Sequence, residues 1–325
     1  MQIPSFDGWP QGGIRLFGRQ VPAVAAVCGA AVLLSSCYTK YELGFPGPYP
    51  AAGYHTYFEE DLPITVFYPD TYPRMENLPV VIFNAGFIQP RATYEGYGRQ
   101  LAQWGYVAVI RAYASLGLIG IGDAMVDTHV AQSRRLLDWL ADENERPDSP
   151  LFGMVDTNNV GVTGHSLGAT VAMSTALAEP RVRAAVNLDA TYDGAEFNKL
   201  DDLAFCQAAI LYIAAASGGW CSQAPGSQRR LYDYTPAPTV QVTIEGADHI
   251  DFMDTPIGLY NTASIACPQG SADAQLVRDL ATKYMVAWFN VHLKGMTEFA
   301  DYYNGAAADA DRDAGLAKFQ CRLED

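Results

Sequence analysis

The sequence predicts an α/β fold in which a mostly parallel central sheet is flanked by helices. Three observations point to it. Short β-branched or aromatic runs alternate with longer helical patterns from about residue 54 onward, as they do when crossover helices join the strands of one sheet. Hydrophobic residues make up 49% of the 325 residues and charged residues 18%, which supplies a sizeable core and excludes wholesale disorder. No internal repeat or low-complexity linker splits the chain past residue 37, so residues 38–325 read as a single domain.

In chain order, the runs ITVFY at 64–68 and VVIF at 80–83 predict the first two strands. A helix follows at 94–104, and a third strand at 107–113. Residues 114–122 form an apolar, glycine-rich segment after a strand end, either a buried turn or one wall of an apolar pocket, because ligands in open α/β sheets bind at the carboxyl ends of strands. The helix predicted at 126–142 spaces Val130, Leu136, Leu137 and Leu140 around Arg134, Arg135 and Asp138. That pattern is amphipathic, with its charges on a solvated face. Strands at 160–163, 183–188, 209–214 and 239–244 and helices at 166–177 and 274–293 complete the reading.

The first 37 residues read as an export segment. Arg15 and Arg19 precede fourteen uncharged residues, 21–34. That run is shorter than the roughly 20 residues needed to span a bilayer and suits the apolar part of a signal peptide. It ends in Leu34-Ser35-Ser36-Cys37, which resembles the bacterial lipobox, with Cys37 as the residue that would be lipidated. The alternative is an ordinary signal peptide cut nearby. The expected location is therefore outside the cytoplasmic membrane, either secreted or anchored by a lipid at the N-terminus. Removing the segment takes away two basic residues and one acidic residue, so the formal charge of −15 becomes one unit more negative. Such a surface repels nucleic-acid backbones.

Four cysteines would remain: Cys206, Cys221, Cys267 and Cys321. An even number in an exported protein predicts disulfides. Of the three connectivities, 206–221 and 267–321 are expected, the second tying down the C-terminal tail. No CxxC pair occurs, so nothing suggests a zinc site.

The chemistry concentrates at Gly164-His165-Ser166-Leu167-Gly168, which follows a predicted strand and opens a predicted helix. This is G-x-S-x-G in its strand-turn-helix setting, where glycines let a serine sit on a sharp turn. Ser166 is thus the expected nucleophile. Of the five histidines, His249 lies late in the chain in the loop after strand 239–244, as the order Ser, acid, His requires of the base. One position for the acid, the end of strand 209–214, is empty, because residues 205–231 contain no Asp or Glu. Asp189, at the end of strand 183–188, is expected instead to orient His249, with Asp193 the alternative. Asp248 and Asp251 flank the histidine too closely and read as loop-forming or surface carboxylates. The backbone N–H of Leu167 and that of Phe87, in the loop Asn84-Ala85-Gly86-Phe87, are expected to hold the developing oxyanion.

These segments, with TyrGlyArgGlnLeuAlaGlnTrpGlyTyrValAlaVal, AsnLeuAspAla and AspHisIleAspPheMetAsp, resemble the chlorophyllase branch of the α/β-hydrolases. They are also similar to the secreted platelet-activating-factor acetylhydrolases and the cutinase-like polyester hydrolases. The resemblance covers roughly residues 55–295 and implies a serine triad that needs no cofactor and no metal: Ser166, Asp189 and His249, with Phe87 and Leu167 as oxyanion donors. In the first two groups the acid follows the strand directly after the elbow helix, in agreement with Asp189. The chain departs from them in having Ala85-Gly86 where His-Gly is usual. It also has Leu167 where chlorophyllases carry an arginine, which argues against chlorophyll as substrate.

The expectation is a serine-dependent carboxylic ester hydrolase. The sequence has no long insertion between the sixth and seventh predicted strands, so little or no lid is expected. Such an open site suits lipid-like, bulky or polymeric esters. An amidase or acyltransferase would use the same residues, and a non-catalytic surface binding module could share the fold.

Overall fold

A computed structural model describes residues 47–59, 62–87, 89–112, 123–190, 201–217, 225–254 and 270–324. All of them lie in the compact unit Lys40–Asp325. The expected export segment with Cys37, the segment 114–122, and Asp193, Cys221 and Cys267 lie outside the described residues.

The strands are β1 (Ala51–Phe58), β2 (Leu62–Pro69), β3 (Leu78–Asn84), β4 (Val107–Arg111), β5 (Val155–His165), β6 (Val182–Leu188), β7 (Ala209–Ala215), β8 (Thr239–Ile244) and β9 (Ala317–Arg322). They form one sheet in the order β1-β2-β4-β3-β5-β6-β7-β8-β9. From β4 through β8 every neighbouring pair is parallel, whereas β1–β2, β2–β4 and β8–β9 are antiparallel. The described helices are α1 (Glu95–Gln103), α2 (Asp123–Glu145), α3 (Leu167–Ala178), α4 (Pro225–Tyr234), α5 (Ala274–Lys294) and α6 (Ala306–Asp313). This is the mostly parallel α/β architecture that the alternating pattern predicts.

The continuous apolar runs arise because both faces of the central strands are covered. In β3, Val81 and Phe83 enter one core while Val80 and Ile82 enter the other; in β4, Ala108 and Ile110 oppose Val107 and Val109. This is the two-residue alternation of a pleated strand. The first core is closed by α1 and α5, through Leu101, Met285 and Trp288 among others. The second is closed by α2 and α3, through Leu136, Leu140 and Met173. Helix α5 begins where expected, because Asp273 accepts hydrogen bonds from the Gln275 and Leu276 N–H groups, and runs one residue past the expected end to Lys294, where Gly295, at φ 68°, ends it in a left-handed turn.

The disulfide expectation needs correction. Cys206 and Cys321 are free. The Cys206 thiol is buried in the second core, directed at the Ala208 carbonyl, and the Cys321 thiol is directed at the Tyr303 carbonyl. The tail is held by backbone pairing instead. Residues Ala317 to Arg322 add to the edge of β8 in full register, Ala317 is buried, and the Phe319 ring meets the Tyr284 ring edge-on at 5.4 Å.

Candidate active site

The carboxyl ends of the central strands bring the singled-out residues together. Register pairs Asn84 of β3 with Gly164 of β5, and His165 of β5 with Leu188 of β6. The turn after β3, the serine turn and Asp189 therefore lie side by side, where open α/β sheets place their ligand sites.

Ser166 stands between β5 and α3 with φ 59° and ψ −125°, a conformation that costs a non-glycine residue strain. The two glycines make the turn sterically feasible. A Cβ at Gly164 would stand 2.4 Å from the Gly168 backbone and 2.6 Å from the Asn84 carbonyl oxygen, and one at Gly168 only 2.1 Å from that same oxygen. The Ser166 N–H donates to the Leu188 carbonyl at 3.0 Å, which ties the serine to the residue before Asp189.

Asp189 is 1% exposed and held from three sides. Its N–H donates to the Ile213 carbonyl at 2.8 Å, its Oδ1 accepts from the Ala215 N–H at 3.0 Å, and its Oδ2 lies 2.6 Å from Nδ1 of His249. A carboxylate can only accept, so Nδ1 of His249 carries the hydrogen and Nε2 is left as the basic nitrogen. His249 opens a short 3-10 turn, His249–Phe252. Asp248 accepts from the N–H groups of Ile250, Asp251 and Gly270, while Asp251 accepts from the Asp248 N–H. These two carboxylates build the loop that carries the histidine, as expected of them.

Phe87 and Leu167 are also brought together. The Leu167 side chain is buried in a small cluster with Val126, Val130 and Val171, and Phe87 packs against that cluster. Leu167 is the first residue of α3, and a first-turn N–H has no acceptor within its own helix. The positive end of the helix dipole lies at the same place. The arrangement therefore offers a serine on a strained turn, an imidazole with a bare Nε2, a buried carboxylate behind it and backbone donors at a helix start. Such a set is suited to acyl transfer.

Two further residues join the site that sequence reasoning had not singled out for it. The buried His165 ring lies 4.5 Å from the His249 ring, centroid to centroid. Its Nε2 lies 2.9 Å from the His249 carbonyl oxygen, and its Nδ1 lies 2.8 Å from the Tyr94 hydroxyl. Burial, and then the neighbouring His249, hold His165 well below the usual histidine range, so it stays neutral. The only advance signal was a polar ring in a turn that otherwise consists of small or apolar residues around the serine.

Among curated proteins, none matches the chain significantly. A family model described as PET hydrolase-like matches residues 63–322, from the start of β2 to the end of β9. Of the three groups that the motifs resemble, the match falls to the polyester hydrolases. The chain therefore belongs to the PET hydrolase-like family of α/β-hydrolases, and it is a carboxylic ester hydrolase.

Proposed function

We propose that the protein hydrolyses polymeric or bulky carboxylic esters through an acyl-enzyme on Ser166. The single observation that carries the assignment of roles is the 2.6 Å contact between Asp189 and Nδ1 of His249, beside a serine held on a strained turn. Nε2 of His249 takes the Ser166 proton as Oγ attacks the ester carbonyl. The N–H groups of Phe87 and Leu167 hold the oxyanion, and the imidazolium returns its proton to the leaving alcohol. Water then attacks the acyl-enzyme with His249 again as base, and the acid leaves. Each oxyanion donor is worth about 10²–10³ in rate, or roughly 3–4 kcal/mol.

The polymeric substrate class is supported by the family. Incubation with an amorphous aromatic polyester film and with a soluble p-nitrophenyl ester tests both parts. The expected result is soluble acid and half-ester from the film and nitrophenol from the ester, with both lost in Ser166→Ala. Turnover of the soluble ester without any film hydrolysis would remove the polymer assignment, and undiminished turnover by Ser166→Ala would remove the serine.

We also propose that residues 38–325 form the one catalytic domain and that residues 1–37 direct export, with Cys37 as the lipid anchor. Support comes from the apolar run 21–34 and the sequence before Cys37. The mass of the mature N-terminal peptide and fractionation of the cells test it. A cytoplasmic protein that begins at Met1 would contradict it.

A further inference from the structure

Acyl transfer at Ser166 requires three backbone segments to keep their places: the turn after β3, the serine turn and the His249 turn. One buried line of hydrogen bonds crosses all three. The Gly86 N–H donates to the Tyr94 hydroxyl oxygen at 3.3 Å. The Tyr94 O–H in turn faces Nδ1 of His165 at 2.8 Å, and Nε2 of His165 faces the His249 carbonyl oxygen at 2.9 Å. The direction of each bond follows from its far end. A carbonyl oxygen can only accept, so Nε2 of His165 donates; in a neutral ring Nδ1 then accepts, and Tyr94 must donate.

Both side chains are locked. Tyr94 is 0% and His165 2% exposed. The Tyr94 ring packs 5.0 Å from the Phe83 ring, and the His165 ring 5.8 Å from that of Phe252. Gly86 is part of the same device, since a Cβ there would stand 2.9 Å from the Tyr94 hydroxyl oxygen and 3.5 Å from Nδ1 of His165. A neutral His165 can also lie against His249 when that ring becomes an imidazolium, where a second cation would oppose the proton transfer.

We propose that Tyr94 and His165 are positioning residues for the ester hydrolysis, forming a strap that holds the oxyanion turn and the backbone of His249 to the serine turn. They act through the backbone and by packing: the strap ends on the His249 carbonyl oxygen, and the His165 ring lies against the His249 ring. The proposal rests on Ser166 being the nucleophile. Groups that act on the transition state lower kcat when they are displaced and leave KM largely alone, and small misplacements near a reacting centre cost up to about 100-fold.

The test uses the full chain with Tyr94→Phe, His165→Phe, the double variant and His165→Gln. The readouts are kcat and KM on a soluble ester, the rate of fluorophosphonate labelling, and thermal melting to establish folding. Tyr94→Phe should lower kcat and the labelling rate together by about 10- to 100-fold, with KM little changed. The double variant should lose no more than His165→Phe alone, because one strap can be cut only once. His165→Gln, which retains one acceptor and one donor, should recover part of what His165→Phe loses. A folded Tyr94→Phe protein with parental kcat, or losses that multiply in the double variant, would overturn the strap. Should Tyr94→Phe not fold, equal kcat in His165→Gln and His165→Phe would overturn it instead. Failure of the underlying reading looks different, since the parent protein itself would then not be labelled at Ser166.

Discussion

Replacing Asp189 with asparagine changes one atom, the Oδ2 that lies 2.6 Å from Nδ1 of His249, and so tests the orienting role proposed for it. Asparagine can keep Oδ1 as acceptor for the Ala215 N–H, and the backbone bond to Ile213 is untouched. Its amide nitrogen then occupies the place of Oδ2, 2.6 Å from Nδ1 of His249. Two donors cannot face each other, so the imidazole shifts its hydrogen to Nε2 and has no lone pair to take the Ser166 proton. Wrong-tautomer substitutions of this kind cost about 10⁴ in kcat, or roughly 5.5 kcal/mol at about 1.36 kcal/mol per decade. Folding should change far less, by on the order of 1 kcal/mol, because only one hydrogen bond is altered. Initial rates on a p-nitrophenyl ester, measured beside thermal melting, separate the two effects. A folded Asp189→Asn protein within tenfold of the parent would refute the tautomer argument, and a larger loss in Asp193→Asn would move the acid there.

Gly168→Ala would drive a methyl group into the carbonyl oxygens of Asn84 and Ala85 at 2.1 and 2.4 Å. It should therefore destabilise the fold by more than about 3 kcal/mol or prevent folding; a denaturant midpoint near the parent's would contradict the close approach of the turn to β3. A pH effect is expected at Asp254, whose carboxylate accepts from the Gly96 N–H at the start of α1 and is raised by burial to about 6. Since an unfolded Asp titrates near about 4, the folded state binds the proton first as pH falls. The contribution of Asp254 is then lost as pH rises from about 4 to about 6. Asp254→Asn should flatten that part of the stability profile, and melting temperatures that run parallel for parent and variant across this window would contradict it.

Strands β2, β3, β4, β6, β7 and β8 were legible because their apolar β-branched runs carry the signal locally. β5 was legible only from Val160, since its first part pairs with Leu78 and Pro79 ahead of a register shift. β1, with the sequence AAGYHTYF, and β9, with AKFQCR, went unread. Both are edge strands whose outer residues face solvent, so only pairing with β2 and β8 makes them strands. Helix α4 reads PGSQRRLYDY and has no apolar stripe long enough to announce it. At the candidate site, Ser166 was singled out by its turn, Asp189 by an empty alternative and His249 by chain order; what the structure adds is the positive φ of Ser166 and the Asp189–His249 contact. The Tyr94–His165 contact joins residues 71 positions apart and exists only once α1 has packed on the sheet. Cysteine parity misled because it counts thiols without their directions: the Cys206 thiol faces the core and that of Cys321 faces the Tyr303 carbonyl.

The central claim is that Ser166 is the nucleophile. It is tested most directly by reacting the full chain with a fluorophosphonate and mapping the adduct by peptide mass. The predicted result is one adduct, on the peptide containing Gly164 to Gly168 and specifically on Ser166, with no adduct in Ser166→Ala. An adduct on another residue, or equal labelling of Ser166→Ala, would contradict it.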